Sequence, residues 1–177
     1  NLISLMSSIE ADVLVGQTVS SSGAPSYGGF VRRSKIKPLH FDSVLAGDEP
    51  IRADTFNGNI VLLGSKALEG IGPFLNGYKH YLADIAYGLE ATQKGLRVLV
   101  APGALGVCEP NLKQNPALDR TVPRSERIRV LNTAPGLPIR QQWRFSIRYG
   151  GILGLVYFFA TYARFFWNLA FFKKPHH

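Results

Sequence analysis

His80-Tyr81-Leu82-Ala83-Asp84-Ile85-Ala86-Tyr87-Gly88-Leu89-Glu90-Ala91 is the stretch on which the reading of this chain turns. Leu82, Ile85, Ala86 and Leu89 recur at i, i+3, i+4 and i+7, the stripe of a helix lying on a core, and Gly95 supplies its stop. Asp84 then falls in the first turn. There the partial positive charge of the helix end favours a carboxylate, which can take a proton from an incoming hydroxyl. Asp is also among the best N-caps, so periodicity alone allows the helix to begin at Asp84 itself. His80, four residues earlier, stands one helical turn away and is read as able to share a site with Asp84, although capping or surface roles are commoner for a lone His there.

Working outward, residues 97–101 (Arg-Val-Leu-Val-Ala) are a short β-rich run, and Pro102-Gly103 is expected to break it. Upstream, residues 60–63 (Ile-Val-Leu-Leu) are too short for a helix and read as a core strand. A short helix is expected to follow, with Ser65 as N-cap, Ala67, Leu68 and Ile71 inward, and a stop at Gly70 or Gly72 before Pro73. Residues 2–9 read as the end of a helix and residues 11–16 as a buried strand with Asp12 at its entrance. Strands alternating with helices place the chain in the α/β class.

Two loops carry candidate binding residues. Asn57 and Asn59 flank Gly58 at the mouth of the 60–63 strand, where amides either bond the local backbone or hold sugar hydroxyls. The Ser- and Gly-rich residues 17–29 end in Tyr27-Gly28-Gly29, where the backbone could approach a ligand closely; a plain surface loop explains the composition as well.

These residues, in this order, resemble the C-terminal half of the catalytic domain of family 2 glycosyltransferases, rhamnosyltransferase-like members above all. The matching features are Thr55-Phe56-Asn57-Gly58-Asn59, then Asp84-Ile85-Ala86-Tyr87-Gly88-Leu89, then Gly95 and Ala101-Pro102-Gly103, with Tyr27-Gly28-Gly29 and Gly106-Val107-Cys108 beside them. No single motif is decisive, but together they cover most of the chain. The resemblance implies the C-terminal portion of an A-type (GT-A) glycosyltransferase fold and inverting transfer of a sugar, in bacterial envelope polysaccharide synthesis, from a nucleotide-sugar donor to a lipid-linked or polysaccharide acceptor. It makes Asp84 the general base and brings Tyr27, Gly28, Gly29, Asn57, Gly58, Asn59, His80 and Tyr87 to the substrate. Two positions depart from the pattern: Ala86 stands where the family has a second acidic residue, and Glu90 where it has Arg. They favour the rival reading, a non-catalytic membrane-binding or scaffolding piece on a glycosyltransferase-like platform.

A chain of 177 residues makes one domain with a real core but is short for a complete nucleotide-sugar transferase, and it begins at Asn1. It is therefore read as a fragment or processed chain, inactive without the half that carries the nucleotide-binding strands. The divalent metal (Mg2+ or Mn2+) that the resemblance implies would be held by an Asp-x-Asp not found here, and no metal ligands are assigned. The single cysteine, Cys108, rules out an internal disulfide, and no His stands near it to make it a nucleophile.

The formal charge of +8 leaves nucleic acid or anionic lipid as partners, and the C-terminal tail favours the membrane. Residues 108–133, spaced by Pro110, Pro116 and Pro123, read as a mobile loop or linker. Arg140, Arg144 and Arg148 then share one helix face, and residues 150–172 are overwhelmingly apolar and aromatic, closed by Lys173 and Lys174. Arg164 and Asn168 interrupt that run on one stripe with Thr161. This favours an interfacial or re-entrant helix pair over a clean span, because an arginine at the bilayer centre costs about 2.5–3.5 kcal/mol. The expected organisation is residues 1–133 as a partial glycosyltransferase domain and residues 134–177 as a membrane-associating segment, with contact through 138–174. Nucleic acid is not expected as a partner, and the expected location is the cytoplasmic face of the inner membrane, peripheral or monotopic.

Overall fold

Hydrophobic alternation on two strands builds the first of two units. In chain order that unit contains α1 (Leu2–Ser8), β1 (Val13–Val19), β2 (Pro25–Tyr27), β3 (Gly29–Arg32), β4 (Phe41–Ser43), β5 (Ile51–Arg52), β6 (Thr55–Phe56), β7 (Ile60–Leu63), α2 (Ser65–Gly70), α3 (Tyr81–Gln93) and β8 (Val98–Val107). The computed structural model describes residues 1–78, 81–111, 115–133 and 136–171, so His80 lies outside the described residues. The chain is a mixed α/β protein whose packing divides it into Asn1–Lys35 with His40–Pro110, and Ile36–Leu39 with Asn111–His177.

β1 and β8 run parallel, Val13 opposite Val98 and Val15 opposite Val100. β1 and the first four residues of β8, 98–101, are almost fully buried, as parallel strands covered on both faces must be, whereas β8 beyond residue 101 becomes partly exposed. Period-two alternation sends Val13, Val15, Val98 and Val100 into one core with Phe56, Ala67, Tyr87 and Ala91. Leu14, Leu99 and Ala101 go to the other face, with Met6 and Ala11. The sheet order is β2-β1-β8-β5, with β7 antiparallel on β1, and β4-β3-β6 form a separate three-stranded antiparallel sheet.

Four local expectations change. Residues 17–29 are not one loop: β1 continues to Val19 and β2 folds back on it with Thr18 opposite Tyr27, because Val and Thr carry the strand past Gly16. β8 runs on through Pro102-Gly103 to Val107, because the register shift between Val15↔Val100 and Gln17↔Ala104 absorbs the pair as a bulge, and the Gly103 amide donates to Gly47 O at 2.9 Å. β7 is an edge strand, half-buried along its length. α2 is capped by Gly64 with no side-chain bond, so Ser65 is its first residue, and Leu68 is exposed while Ala67 alone is fully buried.

The second unit holds α4 (Arg124–Val130) and α5 (Ile139–Phe171). The proline-spaced stretch read as a loop is packed here: Ala117, Leu118, Val130 and Leu131 join Leu137, Phe158, Tyr162 and Phe165 in one cluster. Arg127, 1% exposed, donates from Nε to Ala117 O at 3.0 Å and stands 5.9 Å over the Phe165 ring. α5 is broken at Gly151, whose φ of 56° and ψ of −140° reverse the chain. The Trp143 and Phe158 rings consequently meet edge-on at 5.1 Å, whereas 15 residues of straight helix would hold them about 22 Å apart. Gly154 lies so close to the Ser146 carbonyl that a side chain there would overlap it. By length and composition α5 is able to bind or cross a membrane. The expected Thr161–Arg164–Asn168 stripe divides: Arg164 is exposed, but Asn168 is buried and accepts a bond from Arg120 at 3.0 Å.

Candidate functional site

The short strand β6 decides where Asp84 goes. Thr55, fully buried, donates its hydroxyl to Ile85 O at 2.7 Å, and Thr92 donates its hydroxyl to Asp54 O at 2.9 Å, so α3 is fastened to β6 near both ends. Between those anchors Gly88 lies against Thr55, where a Cβ would come within 2.6 Å of Thr55 Cα. The helix therefore approaches the strand backbone as closely as glycine permits.

This docking carries the first turn of α3 to the β6–β7 turn. The Gly58 amide donates to Asp84 Oδ2 at 3.0 Å, and a Cβ on Gly58 would stand 2.9 Å from the Asp84 carboxyl carbon. On the other side of the turn the Asn57 amide donates to Gly28 O at 2.9 Å, and β3 pairs Gly29 with Phe56. Residues 27–29, 57–59 and 84, separated by as many as 57 positions, are thus brought together at the β6–β7 turn. Asp84 lies in the first turn of α3 rather than at its cap, and its bond leaves the helix. It is half-buried, and Oδ1 takes no hydrogen bond among the described residues, which leaves an acceptor for an incoming hydroxyl.

The remaining candidates are placed as follows. Gly58 and Asn59 are exposed, and Asn57 and Tyr27 are half-buried. Gly29 is closed off by Val100 and Ala53, so its missing side chain serves sheet packing, whereas Gly28 has only ordinary contacts with Gln17. Tyr27, Gly28 and Gly29 line a recess of about 40 Å³ with Gln17 and Val44, room for little more than water. Tyr87 is 5% exposed and donates its hydroxyl to Gly72 O at 2.8 Å, and burial pushes its pKa up. That hydroxyl belongs to the core side of α3. Ala86 is fully buried and Glu90 is 7% exposed, so both departures from the family pattern face inward. Among the described residues no group of three or more His, Cys, Asp or Glu is assembled to hold a metal ion.

Sequence reading passed over Thr92 and Gln17, and took Thr55 only as part of a motif. Gln17, 6% exposed, accepts the Ala46 amide at 2.7 Å and fixes the loop beside the recess. It lies in β1 directly after Gly16, where the strand read from the sequence ends, so no signal in the sequence marked it. The architecture is thus that of a mixed α/β unit with one carboxylate at a turn, followed by a helical unit ending in a long apolar helix. No family model, curated protein or solved structure matches the chain.

Proposed function

We propose that the chain is the acceptor-side part of an inverting glycosyltransferase of the A-type fold, with Asp84 as its general base. The observation that carries this reading is the Gly58–Asp84 bond beside the Asn57–Gly28 bond, which joins three separated motifs at one turn. Asp84 takes the proton of the acceptor hydroxyl. The oxygen forms its bond to the anomeric carbon as the bond from that carbon to the nucleoside diphosphate breaks, and the diphosphate leaves with the electron pair. Asn57 and Asn59 supply amides to sugar hydroxyls, and α5 holds the chain at a membrane where a lipid-linked acceptor is presented. The divalent ion implied by the resemblance finds no ligand set among the described residues, and no step here depends on it.

Asp84→Asn tests this cleanly. The asparagine carbonyl accepts the Gly58 amide as the carboxylate does, so the turn keeps its tether while the base is gone. In the protein as the cell makes it, transfer of labelled sugar from nucleotide-sugar donors to membrane lipid or glycan should fall about 10²–10⁴-fold with the melting temperature unchanged. Transfer within a few-fold of the parent removes Asp84 from the chemistry. The buried Ala86 and Glu90 would then favour the second reading, a platform without catalysis.

A further inference from the structure

Charge is distributed over this chain in a way the catalytic reading does not need. All 12 acidic residues lie at or before Glu126, together with 12 of the 20 Lys and Arg; the eight cations that follow have no acidic residue among them and account for the whole formal charge of +8. On the first arm of α5, residues 139–150, the exposed positions form two adjoining rows. Ile139, Trp143 and Ile147 make one, and Arg140, Arg144 and Arg148 the other. Past the reversal at Gly151, Ile152 is 88% exposed, and Val156, Phe159, Phe166 and Trp167 are each more than half exposed. The Ile36–Leu39 segment joins this unit at the same elbow: Leu39 packs on Gly150 while Ile36 is 77% exposed beside Lys37.

A soluble monomer rarely leaves so much aliphatic and aromatic surface bare. Nucleic acid would explain the cations but not Ile152, Val156 or Ile36, which have no ring to stack on a base. A neutral bilayer would explain the apolar row but not a uniformly cationic one. A surface presenting hydrocarbon beneath negative headgroups satisfies both rows together. The reversal at Gly151 bears on how it is met. Trp143 against Phe158 and Gly154 against the Ser146 carbonyl fold the second arm back on the first, so both arms can meet a bilayer from the same side.

We infer that α5 is a helical hairpin that lies in the headgroup plane of anionic phospholipid surfaces, with Ile152 and Ile36 at its elbow and the exposed apolar residues of both arms embedded, and Arg140, Arg144 and Arg148 against the headgroups. This deepens the membrane part of the proposed function and does not depend on the transferase part.

The test is co-sedimentation of the full chain with vesicles of phosphatidylcholine alone and of phosphatidylcholine containing phosphatidylglycerol. Binding should be strong only with phosphatidylglycerol and should weaken as salt is raised. Each arginine at an anionic surface is worth about a five-fold factor, so the triple variant Arg140→Gln, Arg144→Gln, Arg148→Gln should bind about 100-fold more weakly. In a Cys108→Ser background, Ile152→Cys carrying an environment-sensitive fluorophore should brighten on anionic vesicles and stay protected from a quencher sealed inside them. Equal binding to both vesicle types, no binding to either, no fluorescence change at position 152, or quenching from the lumen each overturns the inference. Asp84→Asn should bind vesicles as the parent does, so loss of transfer and loss of membrane binding are read separately.

Discussion

Gly88→Ala reverses the usual sign of a helix substitution. In a helix interior alanine is preferred over glycine by about 1 kcal/mol, so residue 88, in the second half of α3, would ordinarily be a stabilising site. Here the new methyl would sit 2.6 Å from both Thr55 Cα and Thr55 Oγ1. Carbon atoms prefer about 3.5–4.0 Å, so α3 must withdraw from β6 by about 1 Å. One obstacle is strand backbone, which cannot rotate aside, and overpacking of this kind costs about 1–3 kcal/mol. Withdrawal also stretches the Thr55–Ile85 bond of 2.7 Å, which is worth about 1 kcal/mol. The net expectation is a loss of about 1–3 kcal/mol, or about 2–12 °C in a thermal melt of a chain this size. The matched control is Gly70→Ala in α2, where nothing lies within 4 Å and the backbone is not left-handed; it should be neutral or slightly stabilising. Melts followed by circular dichroism, with hydrogen exchange on the peptide covering α3, give the comparison. If Asp84 is the base, the same 1 Å displacement should cost about 100-fold in transfer. A Gly88→Ala protein that melts at or above the parent would refute the close docking of α3 on β6, and with it the placement of Asp84 at the Gly58 turn.

Two further outcomes separate packing from chemistry. Tyr87→Phe removes the hydroxyl donated to Gly72 O and should cost about 1 kcal/mol in urea denaturation while leaving sugar transfer unchanged; a selective loss of transfer would move Tyr87 to the substrate. Glu109 is held below its ordinary value of 4.5, chiefly by the Ser21 amide. A carboxylate so lowered stabilises the fold above its unfolded pKa and loses that contribution as pH falls through the folded one. Glu109→Gln should therefore flatten the melting temperature across that acid window, and an unchanged profile would dismiss the contact.

What the sequence made legible follows from how each signal works. The α3 stripe and the valine runs of β1 and β8 were readable because burial on a regular element leaves a period. Pro102-Gly103 misled because a bulge and a strand end use the same residues, and only the partner strand distinguishes them. The stretch around α4 misled in another way. Its buried surface comes from a few scattered residues, Ala117, Leu118, Val130 and Leu131, and from Arg127, a residue type that reads as solvated until its guanidinium is seen over the Phe165 ring. Asn168 likewise read as part of a polar face and is instead buried, accepting a bond from Arg120.

The Asp84 carboxylate has a structural explanation that stands without any chemistry, and this sharpens the functional question. Its bond to the Gly58 amide ties the β6–β7 turn to α3, so removal of the side chain perturbs the fold and the reaction together. Asp84→Ala alone would therefore say little. Asparagine divides the roles, because the tether requires only an acceptor oxygen, which an amide supplies, whereas the base requires a group that can take up the hydroxyl proton. The turn itself needs glycine at position 58 for the carboxylate to come this close, since a Cβ there would stand within 3.0 Å of all three carboxyl atoms. A tether alone needs one oxygen and could be made by many side chains at many turns. What exceeds that need is the second oxygen, unpartnered among the described residues, beside a turn where Asn57 and Asn59 flank the same glycine.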